Sequence, residues 1–219
     1  MTKVAIETGS KRIFAFALDW PGWCRSAKGE EAALAALARY APRYAPVARK
    51  AKLPFDPRTV AGFHVVERIP GSVNTDFGVP HEIAKGDTTP LSKTEAERIA
   101  SLVKAAWAVF DEVAASAPSQ LSKGPRGGGR DRDKIVEHVL GADDIYARKL
   151  GRRLTVPQAD DRAAIRAFRA AVLDVLEKPS SGKALVEKGW PQRYAARRIA
   201  WHALDHAWEI QDRSAPAKG

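Results

Sequence analysis

The apolar residues Ile99, Leu102, Val103, Ala106, Val109, Phe110 and Val113 trace one stripe of helical period. A stripe of this kind, carried over roughly 25 residues, must be buried against other elements. Its start is marked by Ser92-Lys93-Thr94-Glu95, a capping box that satisfies the free N–H groups of a first turn. Three more segments repeat the pattern. One, from about Asp131 to Leu150, sets Ile135, His138, Ala142 and Ile145 on a common stripe, with Gly151 as its C-cap. The next starts near Asp160, buries Ile165, Phe168, Val172 and Val175, and ends at Pro179-Ser180-Ser181-Gly182. The last begins near Pro191, a favoured first-turn residue, and turns Ala195, Ile199, His202, His206 and Ile210 inward. Four amphipathic helices of similar length predict an up-down four-helix bundle over residues 91–213, with 214–219 as a tail.

The residues before this bundle follow another period. Val4–Glu7 alternates, and Thr8-Gly9-Ser10-Lys11 has turn chemistry. Ile13, Ala15 and Ala17 interleave with Phe14, Phe16 and Leu18, which predicts a central strand, apolar on both faces. A break at Asp19-Trp20-Pro21-Gly22-Trp23 precedes a helix from about Glu30 to Tyr40, which Pro42 and Pro46 end or extend only briefly. Val60–Ile69 reads as a strand, stopped by Pro70-Gly71, giving the order strand, strand, helix, strand. The fold class expected is α+β: a sheet-plus-helix unit over 1–70, a linker over 71–90, then the bundle.

The histidines fall into these patterns unevenly. His138 lies on the second bundle helix, and His202 and His206, four residues apart, share one face of the fourth. Burying several imidazoles without a shared partner is costly, and neutral imidazole is the commonest transition-metal ligand. Three such donors leave coordination positions open for water or substrate. Glu137, Asp205 and Glu209 are placed to accept the distal N–H of a ligating ring, or else to pair as surface charges with Arg197, Arg198 or Arg213. Arg198, one turn before His202, is a candidate clamp for a substrate carboxylate. Tyr146 and Trp201 read as core or seam aromatics, and His64 and His81 lie off the stripes and receive no role.

Composition limits the alternatives. Of 219 residues, 45% are hydrophobic and 28% charged, as in an ordinary globular protein, and no apolar run has the length of a membrane span. The N-terminus lacks a secretory pattern, and the single cysteine, Cys24, excludes an intrachain disulfide, so a cytoplasmic location is expected. Cys24 itself reads as a small buried hydrophobe. The formal charge of +10 is spread over helix faces except at Lys123–Lys134 and Arg193–Arg198, which favours solvated surface over a nucleic-acid footprint. Gly127-Gly128-Gly129 follows no strand and lacks the Lys-Ser/Thr tail of a phosphate loop.

The sequences KIVEHVLGADDIY and RRIAWHALDHAWEIQDR resemble the DinB/YfiT-like metalloenzyme superfamily, a set of four-helix bundles, over about residues 90–213. That resemblance implies a divalent metal, often zinc or nickel, held by His138, His202 and His206. It also implies thiol-dependent S-transferase or isomerase chemistry with a low-molecular-weight thiol. In the mycothiol-dependent maleylpyruvate isomerase branch the first ligand of the last helix is Glu, whereas here it is His202. The stretch ALDWPGWCRSAKGEEAALAALARYAP is similar to HicB-like antitoxin units: strand, Pro-Gly turn, short strand, Ala/Leu-rich helix, over residues 1–70. It implies a small sheet used in packing or association, and an exposed sheet edge there is compatible with a homodimer.

Two functional expectations follow. In the first, the chain is a metal-dependent enzyme in which the ion lowers the pKa of a bound thiol or water. Arg198 and the basic loop Lys123–Arg132 would then receive the carboxylates of a thiol cofactor or acidic substrate. In the second, the bundle is structural and the N-terminal unit engages protein or nucleic acid, a use the net positive charge would suit.

Overall fold

Alternation near the N-terminus becomes strands β1 (Thr2–Thr8) and β2 (Ile13–Ala17), followed by β3 (Cys24–Ala27), helices α1 (Glu30–Arg39) and α2 (Ala41–Lys50), and strand β4 (Phe63–Pro70). A short helical turn, α3 (Val73–Asp76), and a 3-10 turn (Lys85–Thr88) lead to four long helices: α4 (Lys93–Ser116), α5 (Arg132–Lys149), α6 (Arg162–Leu176) and α7 (Gln192–Ser214). This computed structural model describes residues 1–57, 62–123 and 129–214, and the class is mixed α+β. The expected strand start at 60–61, most of the loop Gly127–Gly129 and most of the 214–219 tail lie outside the described residues. No described helix is long and apolar enough to cross a membrane.

The sheet order is β3-β2-β1-β4, with β1 antiparallel to β2 and parallel to β4. The two central strands are those with apolar residues on both sides. Val4 and Ile6 stand opposite Ala17 and Ala15, and this face joins Leu37 of α1 and Tyr44 of α2 in the main core. The other face, with Ala5, Phe14, Phe16 and Cys24, packs on Ala84 and Trp201 of α7. Trp23 is fully buried, and its Nε1 donates to Leu37 O at 2.9 Å, so its polar edge is not stranded. One cluster of buried residues runs from Val4 and Trp23 through Trp107 to Trp208, so the sheet and the long helices share a core.

Helix α1 ends at Arg39, as expected, but a second full helix, α2, follows where only a brief continuation was expected. Pro42 occupies the first turn of α2, where a missing N–H costs nothing, and the helix continues past Pro46 because Tyr44, Val47 and Ala48 are buried. Tyr44 also donates from its hydroxyl to Pro21 O at 2.8 Å. The inward face of α5 differs from the expected stripe: Ile145 is 57% exposed, while Ile135, Val139, Asp143 and Tyr146 are buried. The helix is rotated so that His138 and Ala142 lie at the rim of the buried face.

Residues 71–90, expected as a linker, hold α3 and the 3-10 turn between irregular stretches and are closely held. The buried Glu7 carboxylate accepts from Thr75 Oγ1 at 2.6 Å, His81 N at 3.0 Å and Glu82 N at 3.1 Å. Arg197 forms a buried ion pair with Asp87, Nη2 to Oδ2 at 2.5 Å, and Arg198 donates from Nη1 to Pro80 O at 2.9 Å. Arg193 reaches Pro90 O at 3.0 Å and Glu95 at 2.7 Å. The Arg193–Arg198 cluster is therefore not solvated surface. Its arginines fasten a distant segment onto α7, with Arg197 and Arg198 buried.

Candidate metal centre

Helix α7 is buried on nearly every side from Gln192 to Leu204, so polar residues on it must find partners inside the protein. His202 is 8% exposed, one turn before the mostly buried His206, and α5 brings the partly buried His138 alongside both. Each ring offers one nitrogen to a group whose members all lie within 4.8 Å of one another. The ring centroids are 5.0 Å apart for His138–His202, 5.0 Å for His138–His206 and 4.7 Å for His202–His206. The structure thus brings together the three histidines expected from spacing and leaves His64 and His81 elsewhere.

The donor set can be tested against a metal's requirements. Two nitrogens bound tetrahedrally at zinc–nitrogen distances lie roughly 3.3 Å apart. His138 Nε2 and His202 Nε2 face each other at 3.3 Å. The remaining ligand nitrogens lie within 4.8 Å of one another. A facing pair of imidazole nitrogens satisfies itself only if one carries a proton, whereas an ion would take a lone pair from each. The residues present fit a divalent ion.

The electrostatics favour the ligating form. Burial, reinforced by mutual repulsion with His206 and by Arg130, holds the His138 pKa below the usual imidazole value. Burial lowers that of His202 much further, with His206, His138, Arg198 and Arg130 adding to the effect. Both rings therefore stay neutral, as metal ligation requires.

Of the expected supporting acids, only Glu209 meets a histidine. Its Oε2 lies 2.8 Å from His206 Nδ1, and its Oε1 accepts from Arg213 Nη1 at 2.7 Å. The hydrogen bond to His206 holds the Glu209 carboxyl below its ordinary pKa despite partial burial. A carboxylate on Nδ1 leaves Nε2 as the free donor of His206. Asp205 instead pairs with Arg25 at 2.9 Å, and Glu137 with Lys134 at 2.7 Å on the exposed side of α5. His202 Nδ1 is buried without a hydrogen-bond partner.

The surroundings of His202 were less legible. Tyr146 presents its ring edge-on to His202, centroids 5.8 Å apart, and Trp201 lies at 6.0 Å. Tyr146 stands eight residues after His138, two helical turns along the same side of α5, a spacing that could have marked it. Arg198 donates to Tyr146 Oη at 3.4 Å and stacks on the Trp201 ring at 4.8 Å. Its backbone-directed contact to Pro80 O shows it fixed in place rather than free in a cavity.

Two other features stand apart from the histidines. A cleft of 810 Å³ separates α5 from α4 and α6, lined by Phe110, Leu140, Ile165 and the Arg169–Asp111 ion pair among others, and contains none of the three. Cys24 is buried, and desolvation pushes its thiol pKa far up, so it stays protonated. Compared with models of protein families, with curated proteins and with solved structures, the chain shows no match.

Proposed function

We propose that the chain is a divalent-metal-dependent enzyme of the DinB type, with zinc or nickel as its ion and thiol-dependent S-transfer or isomerisation as its chemistry. The observation that carries this reading is the convergence of His138, His202 and His206 within 4.8 Å. Three neutral donors leave open positions, and an ion held by them lowers the pKa of a thiol or water that binds there. The chain's own part is to keep His138 and His202 neutral by burial and to fix the His206 tautomer through Glu209. His138 at the rim of α5 and His206, 14% exposed, keep the group in contact with solvent.

The test is conjugation of a low-molecular-weight thiol to an aryl halide by protein loaded with zinc or nickel. The expected result is a rate above the protein-free control that chelation abolishes and His206→Ala removes. A rate equal to the control, with several thiols and both metals bound, would overturn the assignment.

A further inference from the structure

Arg198 is a buried cation, 5% exposed, that meets no carboxylate among the described residues. Its hydrogen bonds go to neutral acceptors, Pro80 O and Tyr146 Oη, and its Nε has no partner. Its neighbour Arg197, equally buried, is neutralised by Asp87. A desolvated charge without a counter-ion is costly, so Arg198 stands where another negative group would be favoured.

The acids around the histidines already have partners. Glu209 is shared between His206 and Arg213, and Asp205 is taken by Arg25. Arg213 Nη1 bonds both Glu209 Oε1 and the carbonyl of Arg130, each at 2.7 Å, which places Arg130 beside the site. The Arg130 side chain is exposed and makes no hydrogen bond or ion pair among the described residues. Its positive charge acts on both His138 and His202. Three neutral ligands would leave a bound divalent ion with its full charge. Two guanidinium groups without acids then add to that field.

From this inventory we infer that the open side of the three-histidine site receives a small molecule with two negative groups, one for the ion and one for the arginines. This rests on the metal reading above and names the ligand's class: a compact thiol or acid that also bears a carboxylate. Arg130 is the direct recognising group at the rim. Arg198 acts through Tyr146: by donating to Tyr146 Oη it directs the hydroxyl proton away from itself, toward an acceptor. Tyr146 and Trp201 flank His202 with their rings.

The experiment uses the full chain loaded with cobalt(II), whose thiolate charge-transfer absorption reports binding without catalysis. Mercaptoacetate and 2-mercaptoethanol, which differ in the carboxylate, are titrated in turn at low salt. Wild type is expected to prefer mercaptoacetate by about tenfold. Arg130→Gln and Tyr146→Phe should each reduce that preference about threefold or more, with 2-mercaptoethanol affinity falling less than that of mercaptoacetate. Arg130 is exposed, so its replacement leaves the fold intact. Cobalt binding with no preference, or a preference equal in all three proteins, overturns the inference while leaving the metal reading standing. Failure to take up cobalt, zinc or nickel removes both.

Discussion

Asp143→Asn offers a prediction whose size follows from the structure. Asp143 is 2% exposed, and neither carboxylate oxygen has a hydrogen-bond partner. Burial pushes its pKa from 3.8 up to about 7, against the opposing pull of the Arg169 charge and with a small push from Asp111. Because the folded pKa is raised, the folded protein binds the extra proton between these two values. Stability therefore falls as pH rises through that window and is flat above it. The shift of roughly three pH units, at about 1.4 kcal/mol each, makes an ionised Asp143 cost the fold about 4 kcal/mol. Asparagine has no such titration. Its own amide lacks partners too, at a cost of about 1–3 kcal/mol that does not vary with pH. The diagnostic is thus the pH dependence of the difference between the two proteins. Urea unfolding at pH 5 and pH 8 should show the variant gaining about 3 kcal/mol on wild type between the two. A difference that stays constant across that range would refute the reasoning.

Further predictions concern other contacts. Gly22 has φ +91°, and a Cβ there would meet Leu204 Cδ1 at 2.6 Å, so Gly22→Ala should destabilise by about 1–3 kcal/mol in urea unfolding. Breaking the buried Arg197–Asp87 pair with Arg197→Met should cost about 3–5 kcal/mol. Arg197→Met combined with Asp87→Leu should recover part of that loss. Were the double variant no better than the single, the cost would not come from a stranded charge. Glu209→Gln removes the carboxylate on His206 Nδ1 and should weaken zinc binding by about 10–100-fold by calorimetry. Unchanged affinity would mean that Glu209 does not orient the ring.

The long helices were legible because their periodicity extends over several turns, and a capping box marks the start of α4. Their rotation was less so. Ile145 and Tyr146 are neighbours in sequence, and only packing against α7 decides which is inward. Strand β3, four residues of which Cys24 alone is buried, carries too little alternation to stand out in a pass for periodicity. The partners of residues 71–90 are the least local of all, since Asp87 and Arg197 lie 110 positions apart. In the site, His202, His206 and Glu209 follow from i,i+4 and i,i+3 spacing on one helix, and His138 from its place on the stripe of α5. The contacts of Arg130 and Arg198 depend instead on where α5 and the 71–90 segment settle, which no helical period encodes.

The central claim is that three histidines form one metal site, and zinc titration by calorimetry on tag-free protein tests it most directly. One equivalent should bind to wild type, and His138→Ala, His202→Ala and His206→Ala should each weaken that binding by at least tenfold while remaining folded. Stoichiometric binding of unchanged affinity in all three variants would contradict the account.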